Sequence, residues 1–311
     1  MKKFLLLFLL TIGLHAFAQI TISISPSHPN FMQYDAVRMK VYLKNYSSMP
    51  ITFGQSKELR GELDFIIYHK DRTLLSKRSN AKSVLSGIIL RPGEAKTVII
   101  DLAKIYPLQE LGNYTATAII KHPKLTARYR SNQTSFYVGE GSKYWHRVFG
   151  VPDYTGKQSV DTKVPPRTYS VKIFNNGVAQ IYFLLVEDKA KVYAIKRLGF
   201  DLGPEYRPQL LVDATARLHA LLHITQKVFI YYIYNYEGKL EKRQVYLRTT
   251  TRPYLVTNPA TGSIIVDGGR IAHKDVDYEE IKDLPFMDHI ERPADDDNDE
   301  GFGSFEDFRT E

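Results

Sequence analysis

The sequence of 311 residues contains no cysteine. This absence excludes disulfide bonds, thiol nucleophiles and cysteine-ligated zinc or iron–sulfur sites. The chain also lacks a Gly-x-Ser-x-Gly nucleophile motif and a glycine-rich phosphate-binding loop, which are local signatures of hydrolases and nucleotide enzymes. We therefore expect no cofactor and favour a non-enzymatic role, although scattered Asp and Glu residues leave a glycosidase carboxylate pair open.

Long hydrophobic runs are also scarce. The main apolar segment, Phe4 to Leu14, follows Lys2-Lys3 and precedes the small-residue sequence Ala16-Phe17-Ala18. This order is typical of a secretory signal peptide over residues 1–18, and the segment is shorter than the ~20 residues that span a bilayer. We therefore expect an exported bacterial protein, periplasmic or extracellular, with no transmembrane segment in its mature chain.

Charge is distributed unevenly around the formal net value of +8. Residues 19–274 contain 37 Lys and Arg against 19 Asp and Glu, a net charge of +18, whereas residues 275–311 contain three against 15, a net charge of −12. The basic body predicts a protein or an anionic envelope polymer as partner. Nucleic acid is not expected, because the protein is exported and has no reader motif.

The acidic tail, residues 275–311, has too little apolar surface to offset the entropy of ordering, so we expect it to be largely disordered. Its charge suggests a hypothesis in which the tail folds back over the basic body and competes with the partner. Seven of its residues also match EF-hand loop spacing, which makes weak calcium binding a second hypothesis. These residues are Asp296, Asn298, Glu300, Gly301, Phe302, Ser304 and Asp307.

Short segments of alternating apolar and polar residues, separated by turn residues, dominate residues 19–138. A period of two buries one face of a β-strand, and many short strands at this spacing predict an all-β, two-sheet sandwich. Pro92-Gly93 predicts a tight turn with a strand on each side. The predicted strands are Gln19 to Ile24, Asp35 to Leu43, Ile51 to Phe53, Leu63 to Tyr68, Thr73 to Leu75, Lys96 to Leu102, Gly112 to Ala118 and Gln133 to Val138.

Four landmarks of this region resemble those of bacterial immunoglobulin-like domains, including the fold of the bacterial intracellular proteinase inhibitor family. They are Val41-Tyr42-Leu43-Lys44-Asn45, Leu63 to Tyr68, Leu90-Arg91-Pro92-Gly93-Glu94 and Gly112-Asn113-Tyr114. The resemblance covers residues 20–138 and implies a sandwich rather than an activity. An inhibitor would also need an exposed reactive loop, and the sequence does not identify one.

A glycine- and proline-containing segment, residues 139–166, is expected to be a partly packed linker that contains the only tryptophan, Trp145. Residues 167–274 then predict an antiparallel β domain. Tyr169 to Phe174 and Ala179 to Val186 form a predicted hairpin whose Asn176-Gly177 sequence favours a primed turn. Further strands are predicted at Val192 to Leu198, Leu210 to Asp213, Arg217 to Ile224, Val228 to Tyr234 and Glu241 to Leu247.

The last four of these strands resemble a propeller blade through Val212-Asp213, Leu218-His219-Ala220-Leu221 and the turn sequence Tyr234-Asn235-Tyr236-Glu237-Gly238-Lys239. Only about two blade-sized units fit into residues 168–272, whereas closed propellers need about four or more. A compact antiparallel sheet or sandwich is therefore the first expectation. A truncated, propeller-like arrangement is the alternative.

Two groups of residues in this domain are candidate sites. His219 and His223 share a strand face but lie ~13 Å apart at that spacing, too far to ligate one metal ion, so we predict structural roles for both. A tyrosine-rich and cationic group predicts a surface for a glycan or another anionic polymer, although tyrosine also favours strands. Its residues are Tyr232, Tyr234, Tyr236, Lys239, Lys242, Arg243, Tyr246 and Arg248, with Tyr231 nearby. Carbohydrate binding or processing through this domain is the alternative function.

Overall fold

The computed structural model describes residues 19–54, 56, 58–70, 73–78, 85, 87–151 and 166–277. The structure is all-β, which confirms the predicted fold class. The chain divides after Gly139 into two compact units, called unit 1 and unit 2 below. Residues 1–18 and the calcium-like spacing in the tail lie outside the described residues. Within the described ranges, no helix is long and apolar enough to cross a membrane.

Unit 1 is built from two main sheets and one short strand pair. Its strands are β1 (Ile20–Pro26), β2 (Asn30–Met32), β3 (Arg38–Asn45), β4 (Ile51–Thr52), β5 (Glu62–His69), β6 (Thr73–Leu74), β7 (Ile89–Leu90), β8 (Ala95–Asp101), β9 (Gly112–Lys121) and β10 (Tyr129–Gly139). The first sheet has the order β1-β3-β8 and the second the order β2-β10-β9-β5-β6, while β4 pairs with β7. The β2–β10 pair is parallel, and the other pairs in these two main sheets are antiparallel.

Alternation along the strands places one apolar face of each main sheet in a common core. In β3 the buried apolar residues are Met39, Val41 and Leu43, and β9 contributes Tyr114 and Ile120 among others. Every strand predicted in this unit has a counterpart in the structure. The strand β2 was not predicted, because three residues are too few to show a period of two.

The predicted turn at Pro92-Gly93 joins the short strand β7 to β8. The backbone N–H of Glu94 donates to the carbonyl oxygen of Arg91 at 2.9 Å, and Gly93 has a φ of 76°. Proline at the first corner and a glycine with positive φ at the second are the requirements of a type II turn. Because the Glu94 side chain also accepts the backbone N–H of Arg91 at 2.6 Å, the turn is closed twice.

Unit 2 contains two antiparallel meanders and a separate hairpin. Its elements are β11 (Ser142–Phe149), β12 (Arg167–Asn175), β13 (Gln180–Glu187), β14 (Val192–Phe200), β15 (Gln209–Val212), β16 (Leu218–His223), β17 (Val228–Tyr234), β18 (Leu240–Leu247), β19 (Tyr254–Thr257), β20 (Ile264–Asp267), β21 (Arg270–Ile271) and the short helix α1 (Lys274–Asp277). One sheet has the order β11-β12-β13-β14 and the other β15-β16-β17-β18-β21, while β19 pairs with β20.

The two meanders share one core, which gives unit 2 the sandwich-like arrangement expected first. Buried residues of β12 and β13, such as Tyr169 and Leu184, belong to the same cluster as Ala220 of β16 and Ile230 of β17. The turn after β17 also approaches the first sheet closely. A Cβ atom on Gly238 would lie 2.4 Å from the Cβ of Ala194, so this position requires glycine.

Two local predictions in unit 2 were wrong. The expected linker, residues 139–166, contains strand β11, whose alternation is interrupted by a register shift between Lys143 and Trp145 where it pairs with β12. The predicted primed turn is a four-residue loop, because Asn175 pairs with Gln180. Gly177 has a φ of 91°, whereas Asn176 does not adopt a positive φ. Instead, Oδ1 of Asn176 accepts hydrogen bonds from the backbone N–H groups of Val178 and Ala179, both at 2.8 Å.

Candidate binding surfaces

The second sheet of unit 2 has an outer face, which is the side turned away from the shared core. Strand register arranges its side chains in three rows across β15, β16, β17, β18 and β21. The rows are Leu211, His219, Ile233 and Lys242, then Gln209, Leu221, Tyr231 and Gln244, and finally His223, Phe229, Tyr246 and Ile271.

The hairpin β19–β20 covers only part of this face. Its residues Leu255 and Ile264 are buried in a cluster with Leu221, Phe229 and Tyr231. Towards β18 and β21 the burial decreases, and Ile271 is 41% exposed. The less covered part is called the open half below and consists of Ile233, Lys242, Gln244, Tyr246 and Ile271.

The structure divides the predicted tyrosine-rich surface between two faces of one sheet. Tyr232 and Tyr234 are 0% and 3% exposed and belong to the shared core, and Arg243 is the strand partner of Tyr232. Lys242 and Tyr246 lie on the opposite, outer face. The prediction of one continuous aromatic surface was therefore wrong, because successive residues of a strand point to opposite sides. Glycan binding through stacked, exposed rings therefore cannot use Tyr232 or Tyr234.

The remaining predicted residues lie at the ends of β18. Lys239, in the turn before this strand, and Arg248, directly after it, are both exposed. Tyr236 is half-buried, and its carbonyl oxygen accepts a hydrogen bond from Nη1 of Arg167 at 2.9 Å. The Arg167 guanidinium also lies 3.8 Å from the ring centre of Tyr193. The same guanidinium lies 5.7 Å from the ring centre of Tyr236, so Tyr236 also takes part in a cation–π contact within the unit.

A buried polar network surrounds His219 on the covered half of the outer face. Its Nδ1 is 2.5 Å from the hydroxyl of Tyr231, and its Nε2 is 3.1 Å from Oδ2 of Asp213. Asp213 also accepts hydrogen bonds from Nε of Arg217 at 2.8 Å and from the Thr215 hydroxyl at 2.8 Å. The side chains of Asp213 and His219 are each only 3% exposed.

The pKa values in this network fix its protonation. Burial lowers the pKa of His219, against the opposing effect of Asp213, and burial raises the pKa of Tyr231 to about 12. Burial alone would raise the pKa of Asp213, but hydrogen bonds from the Arg217 backbone, His219 and Thr215 hold it well below its usual range. Near pH 7, Asp213 is charged, His219 is neutral and Tyr231 keeps its proton. The polar atoms of this enclosed Asp–His–Tyr network are paired with one another, as expected if His219 has the structural role predicted for it.

His223, at the other end of β16, is also engaged by protein groups. Its Nε2 accepts a hydrogen bond from Nη2 of Arg252 at 2.6 Å, and Tyr206 packs edge-on against its ring at 5.1 Å. Burial, together with the nearby Arg252 charge, lowers the pKa of His223. Both histidines therefore have structural partners. Within the described ranges, no three His, Asp or Glu residues are grouped as metal ligands.

A concave region of unit 1, called the basic cleft below, was not predicted from the sequence. It has a volume of about 370 Å³, and its charged residues are Arg60, Glu62, Lys121 and Arg128. Glu62 and Lys121 are strand partners in β5 and β9, with Nζ 3.9 Å from Oε2. Arg60 and Arg128 are exposed and have no ion-pair partner among the residues that the structure describes. The cleft therefore carries a positive charge.

The wall of the basic cleft is fixed by tight packing around His122. Its Nε2 lies 2.9 Å from the carbonyl oxygen of Thr52, and its Nδ1 accepts the backbone N–H of Lys124 at 3.0 Å. A Cβ atom on Gly61 would lie 2.2 Å from the Phe53 ring and 2.9 Å from the His122 ring. Only glycine fits here, so the backbone that bears Arg60 is held against a rigid surface.

Comparison with known proteins assigns no family to this chain, since no protein-family model and no curated protein matches it.

Proposed function

We propose that this protein is an exported, non-catalytic bacterial binding protein whose unit 1 is an immunoglobulin-like sandwich and whose partner is anionic. The partner is an envelope polymer or an acidic protein, and it contacts the basic cleft. The observation that carries the proposal is the cleft itself, which is lined by the exposed Arg60 and Arg128 without intramolecular counter-charges among the described residues. The net charge of +18 over residues 19–274 supports it by favouring encounter with anions.

The chemistry of the cleft suits carboxylate, phosphate or sulfate groups. Guanidinium groups offer several N–H donors in a planar arrangement that matches such oxyanions. Lys121 adds a third cation, although Glu62 partly neutralises it at 3.9 Å. Because the cleft is shallow and exposed, we expect weak individual contacts, and affinity then depends on a partner that presents repeated negative charges.

The test is binding of the full-length protein to fluorescent polyglutamate and to polyphosphate, measured by anisotropy at 50 and 300 mM NaCl. The double variant Arg60→Ala/Arg128→Ala should weaken binding of at least one polymer about tenfold, since two charge-assisted contacts are lost. Salt should weaken the wild-type complex through screening. The two polymers separate a carboxylate-bearing partner from a phosphate-bearing one.

A matched control removes two exposed cations of unit 1 that lie outside the cleft, Lys40→Ala/Arg91→Ala. This variant should retain at least half of the wild-type affinity. If both double variants lose affinity equally, binding is a property of total charge and the cleft is not the site. If neither polymer binds the wild-type protein at 50 mM NaCl, the proposed function is wrong.

A further inference from the structure

The open half of the outer face in unit 2 combines exposed apolar and cationic groups. Ile271 is 41% exposed, Ile233 and Tyr246 are half-buried, and Lys242 is exposed. The hairpin β19–β20 packs on the neighbouring residues of the same face, and Ile233 and Tyr246 contact that cluster while remaining partly exposed. A sheet face of this composition would be stabilised by a segment that supplies apolar side chains and negative charges together.

The described part of the chain ends beside this surface. Strand β21 borders β18 through the pair Tyr246 and Ile271, and its residue Arg270 binds Asp277 through two hydrogen bonds of 2.6 Å. The backbone N–H of His273 donates to the same carboxylate at 2.9 Å. Together these contacts hold Asp277 next to the edge strand β21. Because Arg270 and Ile271 are successive residues and point to opposite sides of the sheet, a segment that docks on the open half passes around this edge.

The segment that follows, residues 278–311, has the complementary composition. It contains 13 acidic and three basic residues. Apolar residues are interspersed among them, namely Ile281, Leu284, Phe286, Met287, Ile290, Phe302, Phe305 and Phe308. Since an extended chain advances ~3.3 Å per residue and strands lie ~4.8 Å apart, fewer than ten residues are enough to cross the open half from β21 to β17.

We propose that the open half is the docking surface for residues 278–311 of the same chain. Apolar side chains of the segment cover Ile233, Tyr246 and Ile271, and its carboxylates pair with Lys242. The inference uses unit 2 alone, so it does not depend on the basic cleft of unit 1. Its consequence is that the acidic segment has a defined docking site in the folded protein, in addition to screening the positive charge of residues 19–274.

The test is zero-length carbodiimide cross-linking of the full-length protein, which joins a lysine amine to a carboxylate in direct contact. Lys242 should cross-link to carboxylates of residues 278–311 with about tenfold higher yield than Lys189, because docking raises the effective concentration at one site. Lys189 is an exposed lysine of the same unit. A mixture of ¹⁴N- and ¹⁵N-labelled protein separates links within one chain from links between chains.

A pair of variants tests the apolar part of the surface. Ile271→Glu should reduce the cross-linking yield at Lys242 about fivefold, since it places a negative charge on the surface that the acidic segment would contact. Val178→Glu, at another exposed apolar position of unit 2 that is 72% exposed, should leave the yield unchanged. Far-UV circular dichroism checks that both variants fold.

Three results would overturn the proposal. Equal yields at Lys242 and Lys189 in the unaltered protein would show that the segment contacts lysines without preference. Links from Lys242 to the segment only between differently labelled chains would make a second copy the occupant. Equal Lys242 cross-linking yields in Ile271→Glu and Val178→Glu would show that the segment does not dock on the apolar residues of the open half. The first comparison needs no variant, so it stands even where a substitution impairs folding.

Discussion

One buried polar cluster in each unit is satisfied by different means. In the cluster of unit 1, neutral side chains bind the backbone. The fully buried Asn45 donates from Nδ2 to the carbonyl oxygens of Met49 at 2.8 Å and Leu90 at 3.0 Å. The Tyr106 hydroxyl donates to the carbonyl oxygen of Phe65 at 2.8 Å and accepts the N–H of the same residue at 3.1 Å.

In unit 2, by contrast, buried side chains bind one another and one of them is charged. Asp213 holds His219 and Arg217, and His219 in turn contacts Tyr231. Amide groups do not titrate, whereas carboxylates and histidines do. The difference indicates that the fold of unit 2 depends on pH through this network, while the amide-based contacts of unit 1 do not.

The largest effect is expected when the charged network loses its anion. Asp213→Ala should destabilise unit 2 by about 4 kcal/mol, because the buried His219 side chain, the Thr215 hydroxyl and the backbone N–H of Arg217 all lose their acceptor. The measurement is urea unfolding followed by the fluorescence of Trp145, the only tryptophan in the sequence, which lies in β11 of this unit. The stabilisation is present above the unfolded pKa near 4 and is lost as pH falls, since the folded pKa of Asp213 is depressed.

Asp267→Ala is the matched control for this prediction. Asp267 also accepts a hydrogen bond from a tyrosine hydroxyl, that of Tyr254 at 2.7 Å, but at the surface. Its replacement should cost less than about 0.5 kcal/mol, as is usual for exposed positions. Equal losses in the two variants would mean that the buried network contributes nothing special to unit 2.

The corresponding test in unit 1 is Asn45→Ala. Besides its two donated bonds, Asn45 Oδ1 accepts the Ser47 backbone N–H at 2.9 Å and the Ser47 hydroxyl at 2.7 Å. Removing these contacts should destabilise unit 1 by about 3 kcal/mol, because the buried carbonyl of Leu90 loses its Asn45 donor and the Ser47 N–H loses its acceptor. Hydrogen exchange should accelerate in β3. Asn113→Ala, at an exposed position on β9, should change exchange little, and a comparable acceleration there would contradict the prediction.

Between pH 7.5 and 5, we expect the pH dependence of unit 2 to come from its two buried histidines. Burial lowers the pKa of both His219 and His223, so the unfolded chain binds protons at a higher pH than the folded one. Stability is therefore complete above about pH 6.5 and falls on acidification, by at most ~1.4 kcal/mol per pH unit for each histidine. Urea unfolding at pH 7.5 and 5, followed by Trp145 fluorescence, measures the slope. His223→Gln should reduce this slope, and a constant or rising stability on acidification would refute the assignment.

Periodicity was sufficient to predict most strands of both units, because the alternation of side chains is a property of the strand itself. It does not show how many faces of a sheet are covered. Strand β17 reads Val-Phe-Ile-Tyr-Tyr-Ile-Tyr, and six of its seven residues are buried. The continuous apolar run is typical of a strand buried on both sides. This continuous run in β17 was the sequence feature that indicated that Tyr232 and Tyr234 are buried rather than part of a surface.

The basic cleft could not be predicted in the same way. Arg60 and Arg128 are separated by more than 60 positions of sequence, and they share no motif. Pairing of β5 with β9 brings the ends of these strands together through Glu62 and Lys121. Such long-range pairing depends on the packing of the whole unit rather than on local sequence.

The smallest expected effect concerns one edge of the sheet β1-β3-β8 in unit 1. Asn132, at a register shift in β10, accepts the N–H of Ile24 at 2.9 Å and donates to its carbonyl oxygen at 3.0 Å. Asn132→Ala should cost about 1 kcal/mol and accelerate exchange of the Ile24 amide about fivefold. Unchanged exchange would show that the side chain does not close this edge. Because an amide does not titrate, the cost should be equal at pH 5 and 7.5, and a pH-dependent cost would remove the distinction between the two units.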